Sequence, residues 1–237
     1  MTIMPENEDK AAQVRFFGRR KSRPLKPRQA ELMRDLLPAL QLTADDAPIL
    51  KTPARLFAPP AREMVLEIGF GGGEHLAHQA RTHPEWGFIG CEPFINGVAK
   101  LLSAVERDNL ANLRIWDADA RHLLPLLGTE TFARVFLLYP DPWPKKRHHK
   151  RRFVNQENLA QIRRILKPGG EFFFASDIPH YVAWTLWQVR AHGGFAWLAE
   201  RARDWREPPP GWLSTRYEQK ALKAGRTPAY LRFIRTA

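Results

Sequence analysis

Short apolar runs alternate with longer amphipathic segments along most of the chain beyond residue 60. The apolar runs predict strands at residues 64–68, 87–91, 113–116, 134–138, 171–175 and 230–234. The segments with helical periodicity predict helices at 29–37, 74–82, 95–107, 155–166 and 181–190. Strands that are apolar throughout and alternate with helices are typical of a mostly parallel sheet that is covered on both faces.

The first thirty residues differ from the rest of the chain. Eight Lys or Arg and no acid occur between Lys10 and Arg28, and Pro24 and Pro27 discourage a continuous helix. We therefore expect residues 1–30 to form a basic, flexible arm and residues 31–237 to form a single domain. Four prolines between residues 43 and 60 predict a connecting segment.

The turn after the first predicted strand reads EIGFGGG over residues 67–73. Gly69 and Gly71 permit a tight turn and a close approach of backbone to ligand. A dinucleotide-binding G-x-G-x-x-G motif would need glycine at position 74, where the chain has Glu74. The acidic Glu67 would repel a pyrophosphate, but it suits a ligand with an ammonium and a sulfonium group, such as S-adenosylmethionine. The pattern resembles the first motif of class I methyltransferases.

Two further acids follow the next two predicted strands. Glu92 follows the second strand, where a carboxylate can accept both ribose hydroxyl protons. Asp119 follows the third strand and is placed to accept an adenine amino group, while Ala120 leaves room for the ring. Ligands of open parallel sheets bind beyond the carboxyl ends of the strands. The three acids therefore predict one adenosine-containing ligand at that edge.

The fourth predicted strand runs into a stiff acidic turn and then a basic run. Three prolines surround Asp141 and Trp143, and six Lys or Arg with two His fill positions 145–152. We expect this turn to meet the glycine turn in one crevice and the basic run to bind phosphates. Trp143 is interpreted either as a stacking platform for a base or as a packing residue.

The large positive charge of the chain indicates which kind of molecule it binds. The formal net charge is +12, which favours a polyanion such as RNA, with an anionic membrane or a generally basic surface as alternatives. The one cysteine, Cys91, excludes an internal disulfide and fits a reducing compartment. No apolar run approaches the ~20 residues of a membrane span and no secretory signal is present, so we expect a cytoplasmic protein. His75 and His78 lack a third spaced ligand, and no metal is assigned.

Residues 140–143, Lys145, the basic run and residues 67–71 together resemble bacterial tRNA (guanine-N7)-methyltransferases. The likeness extends over most of the chain, from the basic leader at 15–29 to Ser176-Asp177 and to the segment 215–218 with Gly225. The resemblance implies a Rossmann-like class I fold with a seven-stranded, mostly parallel sheet whose last strand is antiparallel. It also implies that S-adenosylmethionine is converted to S-adenosylhomocysteine as guanosine-46 in the variable loop of tRNA is methylated.

Individual roles follow from the same resemblance. The implied cofactor-binding residues are Glu67, Gly69, Gly71, Glu92, Asp119, Ala120 and Asp141. Asp141 would also be the catalytic residue. The implied contacts to the tRNA guanosine are Lys145, Asp177, Thr215, Arg216, Tyr217 and Glu218. The chain departs from the family at Arg216, where members often have Lys, and at Pro144, where they often have a polar residue. No obligate protein partner is implied, and the chain would be a monomer or a homodimer.

Three rival interpretations remain at this point. Amino-group methyltransferases that act on DNA have an Asp/Asn-Pro-Pro-aromatic turn after the fourth strand, which residues 141–143 approach. A small-molecule methyltransferase would not need the charge of +12. A non-catalytic RNA-binding module on a degenerate scaffold would not need an acid at every strand end.

Overall fold

A seven-stranded mixed sheet forms the centre of the computed structural model, which describes Gly18 and residues 20–237. The strands run in the order β3-β2-β1-β4-β5-β7-β6. Their bounds are β1 Met64–Ile68, β2 Gly87–Cys91, β3 Leu113–Trp116, β4 Phe132–Leu138, β5 Leu166–Ser176, β6 Phe195–Trp197 and β7 Ala229–Arg235. Pairing is parallel from β3 through to β5, and β7 pairs antiparallel with both β5 and β6. The predicted sheet with an antiparallel last strand is confirmed.

Helices pack on both faces of this sheet. They are α1 Pro27–Asp35, α2 Leu37–Leu40, α3 Ala47–Leu50, α4 Glu74–Thr82, α5 Ile95–Asp108, α6 Ala120–Leu123, α7 Gln156–Ile165, α8 Pro179–His192, α9 Arg203–Arg206 and α10 Arg216–Lys223. Four 3-10 turns lie at Ala44–Asp46, Pro53–Leu56, Leu124–Leu126 and Lys146–Arg151. In the part of the chain that the structure describes, none of the helices has the length and apolar character needed to cross a membrane.

Two hydrophobic clusters lie on opposite faces of the sheet because side chains alternate along each strand. Leu66 and Phe174 belong to one cluster, with residues of α7 and α8. Val65 and Phe173 belong to the other, with residues of α4 and α5. This two-faced packing confirms the expectation drawn from the uniformly apolar strands.

Several element boundaries differ from the sequence-based prediction. Helix α7 ends at Ile165, and β5 begins at Leu166, which was predicted as the last residue of the helix. Pro168, Gly169 and Gly170, which follow the predicted helix, lie inside β5, where the register against β4 shifts. β6 was not predicted. Its three residues are too few for a recognisable alternation, and two of them are exposed.

The boundary of the N-terminal arm also needs correction. Residues 1–17 and position 19, the larger part of the predicted arm, lie outside the described residues. Helix α1 begins at Pro27, so residues 27–30 belong to the folded domain. There Arg28 forms an ion pair with Glu106 of α5, across the contact between the two helices.

Candidate active site

The glycine turn after β1 and the acidic turn after β4 meet in one cavity. The cavity has a volume of about 640 Å³ and lies beyond the carboxyl ends of β1 to β4. Gly69 and Gly71 line it from one turn, and Pro140 and Asp141 line it from the other. The structure therefore confirms the shared crevice on which the sequence interpretation depends.

The glycine turn brings backbone rather than side chains to the cavity wall. Gly69 and Gly71 have φ angles of 72° and 58°, a region that L side chains rarely adopt. Gly97 of α5 packs directly against the carbonyl oxygen of Gly71, where a Cβ atom would collide. The turn is thus fixed from behind by α5 and open toward the cavity.

Glu67 lies behind this turn and is 2% exposed. Its Oε2 atom is 2.7 Å from Nδ1 of His75, which is equally buried in the first turn of α4. The ring of His75 packs between Phe136 and Trp212. His75 thereby orients the carboxylate, a contact that the sequence did not reveal. The role of Glu67 as a cofactor ligand stays a prediction.

Glu92 lies at the end of β2 and lines the cavity with a carboxylate held by two backbone amides. The N–H of Gly71 donates to it at 2.7 Å and the N–H of Phe94 at 2.9 Å. Burial raises the pKa of Glu92 to about 7, and the negative charges of Asp141 and Glu67 act in the same direction. Glu92 is therefore a rigid acceptor whose ionisation changes near neutral pH.

Asp119 and Ala120 line the same cavity at the end of β3. Asp119 caps α6 by accepting from the N–H of Arg121 at 3.0 Å, and its Oδ2 accepts from Nη2 of the same residue at 2.5 Å. Ala120 is buried at the same edge, and its place beside an adenine ring stays a prediction. These two bonds of Asp119 are internal to the protein. The contact of Asp119 with an adenine amino group stays a prediction.

Asp141 occupies the rim of the cavity at the tip of a strained turn. Tyr139 and Trp143, which flank it, have φ angles of 51° and 43°. Each non-glycine residue in such a conformation costs on the order of 1–3 kcal/mol and persists only where its surroundings hold it. The surrounding protein desolvates the carboxyl group and raises the pKa of Asp141 above its ordinary value. The turn therefore presents one carboxylate to the cavity, and Asp141 remains exposed to solvent there.

Trp143 also lines the cavity, but its ring already has neighbours. The guanidinium carbon of Arg151 lies 5.0 Å from the centre of the ring, and His148 makes an edge contact at 5.9 Å. These contacts fit the packing interpretation of Trp143. Stacking of a base on the face that Arg151 covers would require Arg151 to leave it.

The candidates for substrate contact divide into two groups. Arg216 and Tyr217, on the first turn of α10, line the cavity, and the ring of Tyr217 lies against Gly71. Lys145 and Asp177 do not line it: Lys145 is exposed before the 3-10 turn, and Asp177 forms an ion pair with Arg226 at 2.5 Å.

Thr215 and Glu218 are buried and engaged within the fold. The hydroxyl of Thr215 caps α10 by accepting from the N–H of Glu218 at 3.2 Å. The carboxylate of Glu218 accepts from Trp212 Nε1 at 2.7 Å and from the Tyr230 hydroxyl at 2.6 Å. In this structure both side chains anchor α10, and their contact with a guanosine stays a prediction.

A segment of the N-terminal arm also contributes to the cavity, which the sequence did not predict. Gly18 and Ser22 line it. Asn96 of α5 clamps this segment: its Oδ1 accepts from the N–H of Ser22 at 2.9 Å, and its Nδ2 donates to the carbonyl of Arg23 at 2.8 Å. A single asparagine at a predicted helix start gives no sequence signal for such a contact.

Comparison with known proteins identifies close relatives. A family model described as "Putative methyltransferase" matches residues 61–231. The tRNA (guanine-N(7)-)-methyltransferase of Agrobacterium fabrum is 52% identical over 232 residues, which cover 98% of this chain and 100% of the relative. The enzyme of the same description from Mesorhizobium japonicum is 52% identical over 235 residues, with the same coverage.

Solved structures share the fold at much lower identity. The 16S rRNA methyltransferase KamB matches with a TM-score of 0.60 and 16% identity, over 83% of this chain and 95% of its own. A 16S rRNA (adenine(1408)-N(1))-methyltransferase variant, determined with its cosubstrate SAM, matches with a TM-score of 0.53 and 18% identity, over 83% and 92%. At these identities the likeness concerns the fold alone.

Proposed function

The chain belongs to the tRNA (guanine-N(7)-)-methyltransferase family, and from that premise we propose that it methylates N7 of guanosine-46 in the variable loop of tRNA. It is an S-adenosylmethionine-dependent enzyme that acts on guanine N7 in tRNA. The observation that supports methyl transfer at this site is the shared cavity, which both the glycine turn and Asp141 line, whereas position 46 follows from the family resemblance. This membership also separates the chain from DNA and small-molecule methyltransferases and from a non-catalytic RNA-binding module.

The cavity fits S-adenosylmethionine in its donor and acceptor groups. We propose that the backbone at Gly69 and Gly71 holds the amino-acid end and that the negative charge of Glu67, just behind this turn, favours the ammonium group there. Glu92 would accept the ribose hydroxyls, and Asp119 would accept from the adenine amino group. The cofactor, when bound, supplies a methyl group on a positively charged sulfur.

The guanine would lie on the opposite wall, beside Asp141. N7 of guanine carries a lone pair and no proton at neutral pH, so the protein needs no strong general base. Orientation of reactants can lower a barrier by ~7–11 kcal/mol in favourable cases, and the rigid turn around Asp141 suits that task. The methylated base is cationic, and the Asp141 carboxylate would stabilise the positive charge as it develops.

The basic surface beside the cavity would hold the tRNA through its phosphates. Lys145, Lys146, Arg147 and Lys150 are exposed in the loop that follows the acidic turn. Such contacts position a nucleic acid without reading its sequence. Cys91 is a buried free cysteine, which suits the reducing cytoplasm, the location that we propose.

The position of the modified base can be tested directly. Incubation of the enzyme with an unmodified tRNA transcript and a labelled methyl donor should place 7-methylguanosine at position 46, mapped by cleavage at the modified base. A transcript with adenosine at position 46 should take up no label, whereas a change at a neighbouring purine should leave labelling intact. Label at another guanosine would contradict the assignment of position 46 but not the reaction itself.

Binding of S-adenosylmethionine should depend on pH through Glu92. The ionised carboxylate is the form that accepts two hydroxyl protons, and its protonated fraction grows as the pH falls through about 7. Calorimetric titration should therefore give a Kd about tenfold higher at pH 6 than at pH 8. Glu92→Gln is the matched control, since the ligand's own ammonium titrates alike with both proteins. An equal pH dependence in the two proteins would contradict this role of Glu92.

A further inference from the structure

Arg152 closes the basic run, but it is not on the surface. Its side chain is 1% exposed, among the largest fully buried side chains of the described residues. The sequence interpretation grouped it with the neighbouring lysines and arginines as a phosphate contact. Arg152 borders the cavity, but its burial contradicts that expectation, because almost none of its surface is open to a phosphate.

The guanidinium group of Arg152 is directed at the acidic turn. Its Nε donates to the carbonyl of Pro142 at 3.0 Å, and its Nη2 donates to the carbonyl of Trp143 at 3.4 Å. Nη2 also donates to Nδ1 of His180 at 2.8 Å, because an arginine has no acceptor. The group lies over the rings of Tyr181 and Trp184, with distances of 5.1 and 4.8 Å to their centres.

Burying a guanidinium group in these surroundings lowers the stability of the folded protein. Within the described residues Arg152 has no carboxylate within ion-pair distance, and its Nη1 atom is buried without a hydrogen bond. Taking a charge out of water is expensive when no opposite charge compensates for it. A hydrophobic side chain of similar length would fill the same space between Tyr181 and Trp184. The charge and its fork of donors therefore need another explanation.

The strained turn around Asp141 explains why a buried arginine is useful at this position. Tyr139 and Trp143 have positive φ angles on either side of Asp141, and such conformations persist only when other contacts hold them. We propose that Arg152 is a positioning residue, which holds the carbonyls of Pro142 and Trp143 so that Asp141 stays at the cavity. This inference rests on the proposed function of Asp141. It assigns to Arg152 no contact with cofactor or RNA.

The test compares methionine substitutions at two arginines that donate to backbone carbonyls, the buried Arg152 and the half-buried Arg164. Arg152→Met keeps the packing between the aromatic rings and removes the donors. Arg164→Met is the matched control, since Arg164 donates to the carbonyls of Leu124 and Leu127 at 2.6 and 2.8 Å on α7, outside the cavity lining. The readouts are the single-turnover rate constant at saturating tRNA and S-adenosylmethionine, and the Kd values of both ligands.

We expect Arg152→Met to slow the single-turnover rate by about 10- to 100-fold, because a misplacement of about 1 Å at a reaction centre has an effect of that size. Both Kd values should stay within about twofold of wild type, and Arg164→Met should keep the wild-type rate. Equal rate losses in the two variants would overturn the inference in favour of a general structural role. A raised Kd for tRNA with an unchanged rate would overturn it in favour of a phosphate contact.

Arg152→Lys decides the question if Arg152→Met does not fold. Its ammonium keeps the charge but does not reproduce the planar fork that reaches two carbonyls. A slower rate with unchanged Kd values supports the inference, and a wild-type rate overturns it. The wild-type protein in the same assay reports separately on the proposed function, because absence of methylation there would concern the reaction and not Arg152.

Discussion

Replacement of Asp141 by alanine is expected to slow single-turnover methylation of tRNA by about 10²- to 10³-fold at saturating tRNA and S-adenosylmethionine. The reason is electrostatic, since the guanine gains a positive charge as N7 is methylated. A carboxylate that the surrounding protein partly desolvates stabilises that charge more strongly than one in water. The measurement is a rapid-quench time course with enzyme in excess over labelled tRNA.

Asp141→Asn separates charge from position. Asparagine keeps the size and one acceptor oxygen of the side chain but removes the negative charge. If charge stabilisation dominates, Asp141→Asn should be nearly as slow as Asp141→Ala. A rate near wild type for Asp141→Asn would indicate that the residue only holds the base through a hydrogen bond. A wild-type rate for Asp141→Ala would reject any chemical role.

Binding of tRNA is expected to weaken about a thousandfold as monovalent salt rises from about 50 to about 200 mM, if roughly six phosphates are contacted. Four exposed cations lie in the loop beside the cavity at positions 145, 146, 147 and 150, and α10 adds Arg216 and Lys220. Each phosphate contact releases condensed counterions, so the logarithm of the affinity falls linearly with the logarithm of salt. Filter binding over a salt series measures the slope.

A quadruple variant tests whether the loop that follows the acidic turn supplies these phosphate contacts. Replacing Lys145, Lys146, Arg147 and Lys150 by glutamine should make the slope shallower by about 3 to 4. Binding of S-adenosylmethionine to the same variant, and its salt dependence, should match the wild type because these side chains do not line the cavity. A steep slope that the variant leaves unchanged would move the phosphate contacts elsewhere on the protein.

The sheet and the ligand edge were predictable because local patterns determine them. Each uniformly apolar run became a strand, and the acids at the carboxyl ends of the first three strands lie at or just behind one cavity, as parallel topology requires. Helix α10 was missed although its signal is present, since Thr215 and Glu218 have the spacing of a capping box. The same residues resemble a substrate motif, but in the structure Thr215 caps the helix.

Other parts of the site depend on contacts between distant segments and left no local pattern. The hydrogen bond between Glu67 and His75 joins a strand end to a helix that the sequence places only by periodicity. Asn96 reaches 73 positions back along the chain to Arg23. Arg152 reads as one more surface cation in a run of them, and its burial depends on Tyr181 and Trp184. Tertiary packing decides each of these positions, so composition and spacing could not.

The strand order has a consequence for the sequence of events during folding. β7 lies between β5 and β6 although it is synthesised after both. Until the ribosome has released residues 229–235, the nascent chain has an unpaired β5 edge and a three-residue β6 with no neighbour to join. Because Tyr230 of β7 also binds Glu218, α10 gains its anchor at that same late moment. The wall of the cavity that α10 forms is therefore completed only after β7 has joined the sheet.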